Sequence, residues 1–272
     1  MTNGDNVDAE RVTIGVNGGV AHVRLNRADK LNAVDPMMLR GLVSAGKRLM
    51  NDADVRAVVI SGDGRAFCAG LDFEQFARIG AGPDDHGPKL LMSEDSIAGA
   101  KALGQQAALV WSQVPVPVIA AITGVAFGAG LQIALGADIR VVSPGAELSV
   151  MEVQWGLIPD MAGTQLLPEL VGRDVAKELT FTGRKVTGSE ALTLGLVTRL
   201  ADDPVGSALG LAGEIARHDR KALAHSKALL DMAGRVPLHT GLDAEQAAMT
   251  ELLSSQSVSE GVSARLQKLG RK

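Results

Sequence analysis

Two carboxylates eight residues apart, Glu152 and Asp160, are the side chains in this chain best placed to move protons. Glu152 lies in Val150-Met151-Glu152-Val153-Gln154-Trp155-Gly156-Leu157-Ile158-Pro159, where apolar neighbours would desolvate the carboxylate, raise its pKa and suit it to act as a base. Asp160 stands between Pro159 and Met161-Ala162-Gly163-Thr164. Upstream, the small residues of Gly124-Val125-Ala126-Phe127-Gly128-Ala129-Gly130 lead into Leu131–Asp138, an apolar run that reads as a short buried helix. The first turn of a helix offers N–H groups with no partner inside the helix, and such donors can hold the charge that develops on a carbonyl oxygen. Each feature also has a plainer reading. The glycine turn could only let a helix pack closely, Asp160 could cap a helix beginning near it, and Glu152 could be a solvated strand-end residue.

The elements that must hold these residues follow from pattern. Pro117-Val118-Ile119-Ala120-Ala121-Ile122 is an apolar, β-branched run that predicts a buried strand ending at Thr123-Gly124. Val12–Val16 and Val20–Leu25 predict a hairpin turning at Asn17-Gly18-Gly19. Asp35-Pro36 predicts a capped helix running to Asn51, and Arg56–Ser61 predicts the next strand, so the order is that of an α/β crossover. Ser93–Gln113 reads as mostly helical, ended by Val114-Pro115-Val116-Pro117. Gly80–Pro88 is turn-rich and reads as a mobile loop near the site, with His86 solvated. Arg173–Thr182 and Ser189–Leu194 read as helices and Gly195–Leu200 as a return strand. From Asp203 the pattern is helical: Val205–His218, Lys221–Ala233, Leu238–Leu253 and Ser257–Leu269. Two segments result, a core over residues 1–200 and a helical segment over 201–272.

A chain of 272 residues can bury a full core, and its net charge of -4 argues against a nucleic-acid footprint. Met1–Glu10 is polar and reads as a frayed tail, and no apolar run is long enough to span a membrane. Cys68 is the only cysteine, which excludes an intrachain disulfide and disfavours a cysteine-based zinc site. The expectation is a cytoplasmic metabolic protein with no metal. Gly128-Ala129-Gly130 begins like a dinucleotide fingerprint, but Ile133 stands where the third glycine belongs. No phosphate-binding Walker loop or serine-hydrolase elbow occurs, and the five histidines lack ligand-like spacing.

Four stretches in order carry a resemblance: Arg65-Ala66-Phe67-Cys68-Ala69-Gly70-Leu71-Asp72, Pro117–Gly130, Ala137-Asp138-Ile139-Arg140, and Gly156-Leu157-Ile158-Pro159-Asp160 with Gly163-Thr164-Gln165. Together they resemble the crotonase (enoyl-CoA hydratase/isomerase) superfamily, over about Val12 to Leu200, with a helical tail that fits the rest. The resemblance implies an α/β fold with a ββα spiral core, a C-terminal helical segment that packs on neighbouring subunits in trimers or dimers of trimers, with a four-helix cap folded back on its own core as the alternative, and an acyl-CoA thioester as substrate. Coenzyme A would then be part of the substrate, with no prosthetic group. By the same resemblance the N–H groups of Leu71 and Ala129 are the oxyanion donors. Arg27, in a loop similar to the one that lies against the coenzyme A nucleotide, and Lys30 could meet phosphates. Ala66 and Ala69 would line the adenine side, and Gly70 completes a row of small residues on which a ligand can lie.

The family's hydratases use two glutamates to activate water. One matches Glu152, but the other falls on Gln132, and an amide cannot carry a proton as a carboxylate does. Glu152 with Asp160 matches the pair in the family's dienoyl-CoA isomerases, which implies a double-bond isomerase with Gln132 bonding substrate or water, or orienting Glu152. A hydratase in which Asp160 helps activate water and an acyl-CoA-binding homologue with a degraded site are the alternatives. The acyl pocket depends on how Phe73, Phe76 and the 80s loop fold.

Overall fold

The computed structural model describes residues 10–72, 74, 92–254 and 267. The 80–88 loop with His86, Phe73 and Phe76, and the tail helix Ser257–Leu269 expected from the sequence lie outside these.

Eleven strands among the described residues form three sheets. The main sheet has the order β1-β2-β3-β6-β8-β11, built from Val12–Asn17, Val20–Leu25, Ala57–Gly62, Val118–Ile122, Ile139–Val142 and Arg199–Leu200. β1 and β2 pair antiparallel as a hairpin, and every later pairing in this sheet is parallel. Both faces of its centre are covered, which is why β3 and β6 read as unbroken apolar runs rather than alternating ones. Val58, Ile60, Val118, Ala120 and Ile122 join the larger core under α1 (Pro36–Met50), α2 (Leu103–Gln113) and α3 (Ala129–Leu135). Ala57, Val59, Ile119 and Ala121 face Ala208 and Ala212 of α7 (Pro204–Ile215). Thus α7, although it begins the C-terminal helical segment, supplies the second cover of the core sheet.

A second sheet, β10-β9-β7, is made by Val186–Thr187, Glu147–Ser149 and Val125–Phe127. The third pairs β4 (Met92–Ile97) with β5 (Ala100–Ala102). This hairpin corrects the helix expected from Ser93. Ala98 and Gly99 both take positive φ, 50° and 82°, and turn the chain back on itself. Helix begins only at Leu103.

Other elements follow the pattern closely. Asp35 Oδ1 accepts from the Met38 amide at 2.7 Å with Pro36 in the first turn, so α1 starts where the Asp-Pro pair places it. α4 (Gly163–Val171), α5 (Arg173–Thr182), α6 (Gly188–Thr193), α8 (Arg220–Met232) and α9 (Leu238–Leu253) complete the helices described. The return strand is shorter than expected. The amides of Leu196 and Val197 bond back to the Ala191 carbonyl, ending α6, and only Arg199–Leu200 pairs with β8. Lys227 of α8 is buried and pairs with Asp138 at 2.8 Å, while Asp138 also accepts from the Val118 amide at 2.7 Å. This ties α8 to the start of the central strand.

Candidate active site

β7 carries the chain from the central strand to Gly128, and α3 starts at Ala129. All seven residues of α3 are buried. A helix so short is not stable alone, so packing around Leu131, Ile133 and Leu135 fixes it and aims its N-terminus. The segment 67–72 runs beside β7: Cys68 N–H donates to the Val125 carbonyl and Phe127 N–H to the Cys68 carbonyl, both at 3.0 Å. On its other side Val34 N–H donates to Gly70 O at 2.7 Å, and Asp72 N–H donates to Val34 O at 2.8 Å. Because the backbone alternates direction, the amide of Leu71 between them faces away from Val34. Neither it nor the first amide of α3, at Ala129, has a backbone acceptor among the described residues.

Glycine is required where these segments meet. Gly70 has φ 96°, and a Cβ on it would lie 2.8 Å from the Phe127 carbonyl oxygen and 4.0 Å from the Ala129 nitrogen. Gly128 has φ 49°, and a Cβ there would stand 3.2 Å from Glu152 Oε1. One turn therefore joins the amides to the carboxylate.

Glu152 opens a 3-10 turn, Glu152–Trp155, rather than ending a strand. Its Oε1 accepts from Gln132 Nε2 at 2.5 Å, and its Oε2 is buried with no hydrogen-bond partner. Burial raises its pKa above the ordinary carboxylate value, and the nearby Asp160 charge raises it further, against the lowering by backbone and Gln132 hydrogen bonds. Asp160 is exposed, and it does not cap α4: that helix starts at Gly163 after Ala162 in the left-handed region. The oxygen of Gln132 takes the capping role, accepting from the Gly163 amide at 3.0 Å.

A single cleft is lined by Ala69, Gly70, Leu71, Gly128, Ala129, Gln132, Met151, Glu152, Trp155, Leu157, Ile158, Asp160 and Met161. Both acids and both amides border it, with apolar side chains around them. Such an arrangement can polarise a carbonyl oxygen while a carboxylate exchanges protons with carbons close by. The apolar members Met151, Trp155, Leu157, Ile158 and Met161 were not singled out as site residues from sequence. Their sequence signal is the apolar run Trp155-Gly156-Leu157-Ile158-Pro159 between the two acids, and the fold leaves three of these side chains largely exposed: Trp155 58%, Leu157 49% and Ile158 70%.

Other expected positions fall elsewhere. Arg27 is buried; its Nη1 lies 2.7 Å from Asp72 Oδ2 and 3.7 Å from Asp35 Oδ2, and donates to the Ala33 carbonyl. This corrects a phosphate contact for its side chain, because the guanidinium is turned inward and holds the residue next to Leu71. Lys30 stays exposed, 3.9 Å from Glu74. Ala66 is 2% exposed and outside the cleft lining, with its carbonyl bonded to Asn32 Nδ2, so its methyl group offers no ligand surface. Ala69 and Gly70 do line the cleft. Asn32, not anticipated, is wholly buried and joins Arg27 N, Asp63 O and Ala66 O. Burial pushes the Cys68 thiol up to about 12, so it is no nucleophile at neutral pH.

Comparison with known proteins identifies a family and a shared fold. The enoyl-CoA hydratase/isomerase family model matches residues 15–271. The chain is 34% identical over 255 residues to the mitochondrial Delta(3,5)-Delta(2,4)-dienoyl-CoA isomerase of Rattus norvegicus, covering 92% of this chain and 77% of that one. It is 32% identical over 259 residues to the mitochondrial methylglutaconyl-CoA hydratase of Mus musculus, covering 93% and 78%. The crystal structure of an enoyl-CoA hydratase from Bacillus anthracis superposes with a TM-score of 0.84 at 29% identity, over 95% of this chain and 96% of that one.

Proposed function

This chain belongs to the enoyl-CoA hydratase/isomerase family, and from that premise we propose that it moves a double bond along the acyl chain of an enoyl- or dienoyl-CoA. The observation that carries the reading is the make-up of the cleft. Two carboxylates and two unpartnered amides border it, and the third polar side chain, Gln132, is an amide that can neither take nor deliver a proton. Hydration of the two-glutamate kind lacks its second carboxylate here, whereas isomerisation needs only a proton removed and a proton returned.

In this scheme Glu152 takes a proton from the carbon next to the thioester carbonyl. The electron pair moves onto the carbonyl oxygen, which the Leu71 and Ala129 N–H groups stabilise. A proton returns further along the chain, and the new double bond lies in conjugation with the thioester. Asp160 delivers that proton, or Glu152 carries the first one across. The raised pKa of Glu152 makes it a stronger base than an ordinary glutamate and suits it to accept and then release a proton. The step needs no metal or prosthetic group.

A hydratase is the second reading, favoured by the free Glu152 Oε2, which could hold water, and by the likeness to the mouse hydratase. Absorbance assays on 3-enoyl-, 3,5-dienoyl- and 2-enoyl-CoA with wild type, Glu152→Ala and Asp160→Asn separate them. Isomerisation impaired in both variants supports the proposal. Unimpaired isomerisation in both removes it; hydration of crotonyl-CoA abolished by Glu152→Gln moves the assignment to hydratase; coenzyme A thioester binding with no product from any substrate leaves only a binding homologue.

The same reading places the protein in the cytoplasm as a trimer or dimer of trimers. In support, α9 leaves Leu238 78% and Leu253 65% exposed, together with Leu242 and Met249, a face suited to a second copy. Among the described residues no helix is long and apolar enough to cross a membrane. Sedimentation of the purified protein tests the assembly, and a monomer at micromolar concentration would remove it.

A further inference from the structure

Gln132 is 1% exposed, and both ends of its amide are used. Nε2 donates to Glu152 Oε1 at 2.5 Å; Oε1 accepts from the Met161 amide at 2.9 Å and from the Gly163 amide at 3.0 Å. These partners settle which way the amide faces. Two backbone N–H groups demand an oxygen, which turns the NH2 group toward the carboxylate. The fit is close, since a Cβ on Gly163 would lie 2.6 Å from Gln132 Oε1. Only one oxygen of Glu152 is held, because Oε2 is buried without a partner.

We infer that Gln132 is a positioning residue that keeps the two acids of the cleft in register through a single amide. Its NH2 group anchors Glu152 by one oxygen and leaves the other to meet substrate, while its carbonyl ties down the Asp160-Met161 turn and the start of α4. The inference rests on the isomerase reading for its effect on rate, but the clamp itself can be measured without turnover. A carboxylate in place of the amide would keep the acceptor for Met161 and Gly163 and lose the donor to Glu152. Two carboxylates at that separation must share a proton.

Two variants separate the two ends. Gln132→Glu retains the cap of α4 and loses the donor; Gln132→Met, similar in volume, loses both. The readouts are kcat and KM for isomerisation across pH, and the midpoint of the Glu152 carboxyl carbon in a 13C titration, assigned by its absence in Glu152→Gln. For Gln132→Glu we expect near-wild-type melting, KM within about threefold, kcat down about tenfold or more, and both the acid limb and the carboxyl midpoint moved to higher pH. Gln132→Met repeats the upward shift, to a smaller extent, with lower melting. A merely structural role would lower stability and leave both pH readouts in place, and that result in either variant overturns the inference. Should Glu152→Ala isomerise as well as wild type, the proton-shuttle reading falls, while an upward carboxyl shift in the uncharged Gln132→Met would still support the clamp.

Discussion

Arg27 and Glu152 are both charged side chains drawn out of water beside the same cleft, and they end in opposite states. Arg27 meets Asp72, Asp35 and the Ala33 carbonyl, so its charge is neutralised where it stands. Glu152 has one side-chain donor, Gln132, and keeps a buried oxygen, Oε2, with no hydrogen-bond partner. A satisfied buried charge fixes backbone, here the segment bearing Leu71. A partly satisfied one is held at a cost in stability, and that cost is usual where the spare valence is used on a substrate.

The contrast can be broken at either end, and the largest effect is expected at Glu152. Its replacement by Ala should lower kcat about 10^3-fold without lowering the melting temperature, and a loss below tenfold would take it out of the chemistry. Arg27→Met should instead act on folding, lowering stability by about 3 kcal/mol in denaturant titrations because Asp72 and Asp35 are left buried with less neutralising charge. Unchanged stability with weakened binding of coenzyme A would restore the phosphate role to this arginine. Asp160→Asn should cost about 30-fold in kcat with stability unchanged, since the side chain is exposed and caps nothing.

The smallest effect sharpens the comparison most. The folded-state pKa of Glu152 is raised, so the native protein holds that proton more tightly than the unfolded chain does. Its contribution to stability is then fully present below the ordinary glutamate range and is lost as pH rises through the raised value. Glu152→Gln, which cannot ionise, should therefore melt about 1–3 °C higher than wild type near pH 8, with the advantage vanishing as the pH falls toward 4. Equal melting at both pH values would mean that the buried carboxylate carries no penalty.

Those outcomes bear on how much could be read without coordinates. Elements decided by local pattern were legible: the hairpin around Asn17-Gly18-Gly19, the Asp35-Pro36 start of α1, the central strand, and the full lengths of Arg173–Thr182 and Leu238–Leu253. Met92–Ile97 was not, because Ser93-Glu94-Asp95-Ser96 is polar throughout and shows no apolar alternation, and its turn at Ala98-Gly99 is a weak signal. In the cleft, glycine-rich turns and isolated acids stand out in any sequence. What those residues touch does not. Gln132 caps a helix that begins 31 positions later, and Arg27 pairs with Asp72 across the intervening α1 and β3. Such long-range partners leave no periodicity to find, so an arginine in a loop reads as a phosphate contact and an internal glutamine as a lost glutamate.

The two amides proposed as oxyanion donors are brought together only by the fold. Leu71 and Ala129 come from distant parts of the chain and are set side by side only when Cys68 bridges Ala126. A chain that has closed only its hairpin and α1 has not yet brought these two amides together, and contacts between segments so far apart in sequence carry the larger loop-closure cost. Refolding followed at once by far-ultraviolet ellipticity and by capture of a fluorescent acyl-CoA should show the ligand signal trailing the helical one, so that the ability to bind marks the end of folding.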